Sequence, residues 1–357
     1  MSHMFVPGPV DVAPEILVEM AKPMLPHRSK EYEAIHRRAA EKAQKLFFTQ
    51  YRVLIGTHSG SGMQEAGMRN LVSRDVLCCV NGAFSQRWYD VAVSNGKQAD
   101  RLDVEWGRAV SAEKLYEALK KKHYEAVSIV HNETSTGVEN PLEELAGVIK
   151  KISPDTLIMV DAVSSLGGSK IEMDAWGIDF LLTSSQKCLA LPPGLSLAGV
   201  NDRALEKAAA VENRGWYFDL LLMEKHRVKN STAMTPVISI VYALDLQLDR
   251  IFAEGLEKRF ERHTAMSQRV YDWANEHGMT PFADEPCRSK TVATINNNLN
   301  MDITALNKFL LEKYEMRISN GYGDLKGKTF RIATMGETTM EDVNHLLDGM
   351  EKFLAAD

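Results

Sequence analysis

The sequence is poor in cysteine. It has no excess of basic charge, no long apolar run and no paired histidines, and each shortage removes a class of protein. There are four cysteines in 357 residues. Cys78 and Cys79 are adjacent, and Cys188 and Cys287 stand alone. That pattern is neither a disulfide framework nor a zinc spacing, and it fits a reducing, cytoplasmic setting. Cys78 and Cys79 lie in the apolar run DVLCCV and read as core packing. The ten histidines include no HxH or HxxxH pair, so no metal site is expected. A net charge of −6 does not supply the clustered basic face of a nucleic-acid binder. No stretch reaches the ~18 apolar residues of a membrane span. The first residues lack a charged start followed by an apolar core, so no secretory leader is expected. Residues 1–4 (MSHM) are read as an added stretch ahead of the true start and are left out of the fold reasoning.

What is present is a globular composition, 45% apolar and 25% charged, on a chain long enough for a large core and two domains. A helical period runs over 30–48, with Ile35, Ala39, Ala43 and Leu46 at three- and four-residue steps. Short apolar runs then alternate with helical stretches: RVLIGT (52–57), DVLCCV (75–80), KQADRLDV (97–104), YEAVSIVH (124–131), TLIMVD (156–161), IDFLLTSS (178–185) and LSLAGV (195–200). Strands alternating with helices require crossover connections, hence a largely parallel α/β sheet covered on both faces. VSIV and LIMV are continuously apolar, as doubly covered strands should be. From Pro236 to about His277 the pattern is helical throughout. Beyond Thr291 come strand-like VATIN, a helix from Thr304, strands near RIS and FRIAT, and a helix from about Thr339. The expected division is a large α/β domain over 15–250 and a small α+β domain over 251–357, with residues 1–14 packing near the active site.

Ligands of an open α/β sheet sit beyond the carboxyl ends of its strands. The residues just after each run are therefore the informative ones. THSGSGMQE (57–65) follows the first; SGSG ahead of a helix can cradle an anion, although it is not a Walker loop. Asp161 ends a strand of Leu, Ile, Met and Val, where a carboxylate needs a partner. Lys187 follows the next apolar run, in TSSQKCLALPPG, with no charged neighbour close in sequence. A sheltered lysine loses solvation, its pKa falls, and it becomes a nucleophile toward carbonyls. A phosphate for SGSG, an aldehyde for Lys187 and a basic nitrogen for Asp161 are the three groups of pyridoxal 5′-phosphate.

With FVPGPVDVAPEI, HSGSG, NGAFSQR, NETSTGVENPL, VDAVSSLGG, SSQKCLALPPG, TAMTPVIS and KTFRIATMGE, nearly the whole chain resembles the class V, fold-type I pyridoxal-phosphate aminotransferases of the alanine–glyoxylate and serine–pyruvate group. The resemblance implies a mostly parallel seven-stranded sheet and a small C-terminal domain. It implies that Lys187 forms the imine with the cofactor and later moves the proton, and that Asp161 keeps the ring nitrogen protonated. Val163 would pack on one ring face and Phe84 on the other, and Thr134 would bond the ring oxygen. Ser61, Gly62, Met63 and Gln186 fall at phosphate positions, Met63 without a polar side chain. Thr232 or Thr235 would reach the phosphate of a partner subunit, which makes the expected assembly a homodimer with shared active sites. Arg331 would receive the substrate carboxylate, a match that a guanidinium fork makes bidentately, with Gly8 adding a backbone contact and Tyr322 lining the pocket. The activity implied is ping-pong transfer of an amino group from alanine or serine to glyoxylate or pyruvate.

Within the same fold a cysteine desulfurase would need a cysteine in the loop SNGYGDLKGKTF (319–330), which has none. Transamination of 2-aminoethylphosphonate, or of aspartate with Arg28, Arg87 or Arg214 taking the second carboxylate, is the alternative. A non-catalytic scaffold would have no physical need for Lys187, Asp161 and Arg331.

Overall fold

The apolar runs form strands of a seven-stranded and a four-stranded sheet, together with a two-stranded pair, in a computed structural model that describes residues 3–355. In chain order the strands are β1 (His3–Phe5), β2 (Arg52–Gly56), β3 (Asp75–Val80), β4 (Gln98–Asp103), β5 (Ala126–Val130), β6 (Asn132–Glu133), β7 (Val138–Glu139), β8 (Leu157–Asp161), β9 (Phe180–Ser184), β10 (Ser196–Val200), β11 (Val292–Asn296), β12 (Met316–Asn320) and β13 (Thr329–Ala333). The large sheet has seven strands in the order β2-β10-β9-β8-β5-β3-β4. Only β10 runs against the others, pairing antiparallel with both β2 and β9. The α/β expectation of a mostly parallel seven-stranded sheet therefore holds, with one reversal that apolar patterning does not encode.

Strand alternation explains why both faces are covered. Val127 and Ile129 of β5 and Ile158 and Val160 of β8 join one core, whereas Ala126, Val130, Leu157 and Met159 join the other. Each fully buried side chain of this kind contributes roughly 1.5–3 kcal/mol. The long first helical period becomes the helix Lys30–Leu46. Ser29 caps it by accepting from the Tyr32 amide, and Tyr32, His36, Ala39, Ala43 and Leu46 are its buried residues. It packs on the helix Ile238–Glu254, where Asp245 takes ion pairs from both Arg38 and Lys42 at 2.7 Å.

The uninterrupted helical signal after Pro236 is two helices, Ile238–Glu254 and Leu256–Glu276, parted at Gly255. The first feeds the large core. The second feeds a separate core with the four-stranded sheet β1-β12-β13-β11 and the helices Ile303–Tyr314 and Met340–Leu354. Residues 1–4 had been set aside, and that reading needs correcting in part. His3, Met4 and Phe5 pair in parallel with Met316, Arg317 and Ile318, and Phe5 is completely buried in the smaller core. A three-residue strand is too short to show a period; Met1 and Ser2 lie outside the described residues. Among the described residues no helix is long and apolar enough to cross a membrane.

Since β2 runs in the same sense as β9, the chain leaves β2, β3, β5, β8 and β9 at one edge of the large sheet. The loops that follow those five strands meet there.

Candidate active site

A cavity of about 400 Å³ opens at that edge, a volume suited to a small molecule. Every one of the five strands contributes to its wall: Ser59, Gly60 and Ser61 after β2, Phe84 after β3, Asn132 and Thr134 after β5, Asp161 and Val163 at the end of β8, and Gln186 and Lys187 after β9. Arg331 of β13 and the segment Pro7–Pro9 close it from the other side.

Lys187 is 8% exposed, and its ammonium donates to the carbonyl of Pro7. Burial, reinforced by the positive charge of Arg331, brings its pKa down to about 8. The stiffness of the loop behind it comes from Ser185. The Ser185 hydroxyl donates to Pro192 O at 2.7 Å and accepts from the Leu195 amide at 3.3 Å, while the Ser185 carbonyl accepts from Leu191 at 3.0 Å. Gly8 stands against the lysine. Its φ is +89°, and a Cβ there would fall 2.6 Å from Lys187 Cδ. Gly8→Ala, strained at this φ, is expected to push the amine off Pro7, to lower kcat by about 10²-fold, as displacements of an ångström do, and to lower the melting temperature; kinetics and calorimetry on the one variant check this.

Asp161 is 5% exposed. Burial pushes its carboxyl up to about 6, against the opposing effect of donors from Val163 and Gln64. Val163 also bounds the loop after β2, since a Cβ on Gly60 would lie 2.7 Å from Val163 Cγ2. Ser61 and Gly60 open the helix Gly60–Leu71, and the Ser59 hydroxyl makes no capping bond there. Ser59, Gly60 and Ser61 line the cavity, and the first amides of a helix are a kind of group that can hold an anion. Arg87 sits beside it, donating to Ser61 Oγ at 3.2 Å.

Phe84 is aimed by Glu133, a fully buried carboxylate. Glu133 accepts from the amides of Phe84 at 3.2 Å and Ser85 at 2.9 Å and from the hydroxyls of Ser85 and Ser135 at 2.8 and 2.7 Å. The Phe84 ring lies 4.8 Å from the Arg87 guanidinium carbon and 5.4 Å from the Tyr322 ring centre. Arg331 lies 5.5 Å from the same tyrosine ring. Its guanidinium is held by the carbonyls of Asn320 at 3.2 Å and Thr134 at 3.3 Å, and no carboxylate pairs with it among the described residues. Burial lowers its pKa to about 10. A guanidinium held only by neutral carbonyls inside a cavity is a receptor for an anion. The Thr134 hydroxyl bonds Ser164 Oγ at 2.5 Å.

Not every expected residue is brought here. Gly62 and Met63 do not border the cavity. Both amides donate to Ser59 O, at 3.0 and 3.3 Å, and the Met63 side chain is fully buried in the core. The helix starts earlier than the motif suggested, so its free amides belong to the preceding residues. Thr232 lines a different, smaller cavity with His36, His58 and Tyr217, and its hydroxyl donates to Met234 O at 2.7 Å; Thr235 borders neither. Of the three arginines considered for a second carboxylate, only Arg87 reaches the cavity. Arg28 is exposed elsewhere, and Arg214 is spent on the carbonyls of Ala208 and Val211 and on Asp219.

Three residues escaped sequence reasoning. Gln64 and Glu133 lay inside quoted motifs without a role. Arg259, fully buried, donates to Gly167 O, Cys188 O and Gly336 O at 2.9 to 3.0 Å and pairs with Glu254 at 2.6 Å, tying three loops behind the site. An arginine in an amphipathic helix carries no sequence signal for such a post.

The model of the class V aminotransferase family matches residues 19–346. The chain belongs to the class V aminotransferases. An uncharacterised aminotransferase of Methanocaldococcus jannaschii is 37% identical over 93% of this chain and 87% of its own length. An L-aspartate–glyoxylate aminotransferase of Paracoccus denitrificans is 31% identical over 94% of this chain and 86% of its own. The crystal structure of an alanine–glyoxylate aminotransferase from Nostoc superposes with a TM-score of 0.93 at 30% identity, covering 99% of this chain and 95% of that one. The cofactor of this aminotransferase family is pyridoxal phosphate, and the cavity fits it: an amine of lowered pKa, a buried carboxylate and a helix N-terminus stand around one space that Phe84 and Val163 also line.

Proposed function

We propose that the protein transfers the amino group of a small amino acid, alanine or serine, to glyoxylate or pyruvate. The observation that carries this reading is Lys187: a buried amine, brought down to about 8, that shares one cavity with Asp161 and an Arg331 free of any carboxylate. Pyridoxal phosphate, when bound, supplies an aldehyde that condenses with amines and a ring that accepts electrons. The chain's own residues do the rest. The helix start at Ser59–Ser61, with Arg87 beside it, would hold the phosphate. Phe84 and Val163 would flank the ring, and Thr134 would bond its oxygen. Asp161 would hold a proton at the ring nitrogen. Lys187, partly neutral near pH 8, removes the proton from the substrate α-carbon and returns it one position away. Arg331, already oriented by Asn320 and Thr134, receives the substrate carboxylate, a charge-assisted contact of ~1.5–3 kcal/mol.

Arg331 and Lys187 serve both substrates in this reading, so donor and acceptor take turns, which is ping-pong kinetics. A homodimer accounts for the residues left outside. Trp216 is 70% and Val228 60% exposed, each next in sequence to a residue, Tyr217 or Arg227, that lines the small cavity with Thr232, and we assign this face to a second copy whose site Thr232 or Thr235 completes.

Protein reconstituted with pyridoxal phosphate is expected to show a yellow absorbance that borohydride bleaches. Alanine or serine added without acceptor should discharge it, releasing one 2-oxo acid per site, and glyoxylate should restore it. Colour that persists with every small amino donor, aspartate included in the screen, refutes the proposal.

A further inference from the structure

A carboxyl as deeply buried as Asp161 stays ionised only if donors hold it, and the structure gives it two. The Val163 amide donates to Oδ1 at 2.8 Å. The side-chain amide of Gln64 donates to Oδ2 at 2.6 Å. The charges that face Asp161 oppose each other: Glu133 disfavours its ionisation and Lys187 favours it. The first donor is backbone, fixed by the turn after β8. The second is a choice of side chain.

Gln64 is 2% exposed and projects from the helix Gly60–Leu71, which packs across β9 and β10. Its Nε2 is spent on Asp161, while its Oε1 is buried without a hydrogen-bond partner, although the residue borders the cavity. A glutamine retained only to fill space would be costly there, since an unpaired buried acceptor loses its hydration for nothing. One feature offsets that cost: the amide nitrogen satisfies a carboxylate that would otherwise take up a proton.

We propose that Gln64 is a positioning residue that holds Asp161 in its ionised form by donating to Oδ2, so that the proton shared by Asp161 and the cofactor ring resides on the ring. The proposal rests on the function argued above. It also links two parts of the site. The helix that begins at Gly60 carries, one turn on, the side chain that holds Asp161, so one rigid element would govern both the phosphate contact and the ring's charge partner.

The test titrates Asp161 directly in the apoprotein, using isotope-labelled aspartate and NMR, with Asp161→Asn to identify the signal. Gln64→Met keeps the volume and removes the donor. Its Asp161 midpoint is expected about one pH unit above that of the wild type, the size of effect one hydrogen bond to a charged acceptor produces. Gln64→Glu keeps the shape and sets a second carboxyl against the first, so its midpoint moves further in the same direction. In reconstituted protein, the acid limb of the yellow absorbance should move up with the same order of variants. Midpoints that coincide in wild type and both variants overturn the proposal, whatever happens to turnover. The two readings fail separately: a wild type that never turns yellow refutes the function, whereas a yellow wild type whose variants titrate with it refutes the role of Gln64.

Discussion

Replacing Lys187 with alanine is expected to abolish the borohydride-sensitive absorbance and to lower multiple-turnover amino transfer by about 10⁴-fold or more, since one group serves as nucleophile and as proton carrier. The fold should survive. The side chain makes one recorded hydrogen bond, to Pro7 O, whereas the loop around it is closed by Ser185 and by the Ala190 amide on Lys187 O at 2.8 Å. Burial already disfavours the charged amine, so its removal relieves a desolvation cost rather than opening a hole in an apolar core. Absorbance, turnover with alanine and glyoxylate, and thermal melting of the same preparation check the three statements. Undiminished turnover in Lys187→Ala would leave no basis for assigning the chemistry to this cavity.

Asp161→Asn is expected to lower kcat by about 10²-fold or more, because an amide cannot hold a proton on a ring nitrogen as a carboxylate does. It should also alter the pH dependence of stability of the apoprotein in a direction fixed by linkage. The carboxyl stands at about 6 in the folded chain against an ordinary value of 3.8. Below the lower value both folded and unfolded chains hold the proton. Between the two, the folded chain still holds a proton that the unfolded chain has released, so stability falls as pH rises through that window, by at most about 3 kcal/mol. Above about 6 the loss is complete. Asp161→Asn removes this slope and should leave the apoprotein more stable than wild type at neutral pH while making it a poorer enzyme. Denaturant titrations at several pH values, compared between the two proteins, test the sign; a variant as pH-sensitive as wild type across that window would contradict it.

The sheet was legible because its strands are buried on both sides and therefore read as unbroken apolar runs. Asp161 and Lys187 stood out for the same reason: an ionisable residue at the end of such a run has no solvated surface to explain it. Register was harder. The SGSG motif marks a helix start but not its first turn: the Ser59 carbonyl occupies the amides of Gly62 and Met63, and the residues just before them border the cavity. Pairings between distant segments left no trace at all. Glu133 beneath Phe84, Gln64 against Asp161 and Arg259 behind three loops are single polar residues whose partners are set by tertiary geometry alone. β1 was missed because three residues cannot display a period, and β10 gave no hint of its reversed direction because direction depends on the length and path of the connection before it.

The pairing of β1 with β12 has a consequence for how this enzyme is made. The segment Pro7–Gly8 that braces the reactive lysine is anchored by a strand whose hydrogen-bonding edge is supplied by Met316–Ile318. In the order of the chain the brace precedes the lysine and its mooring follows it, with the whole seven-stranded sheet in between. A nascent chain halted after that sheet would own the lysine and the acid but not the strand pairing that anchors the brace.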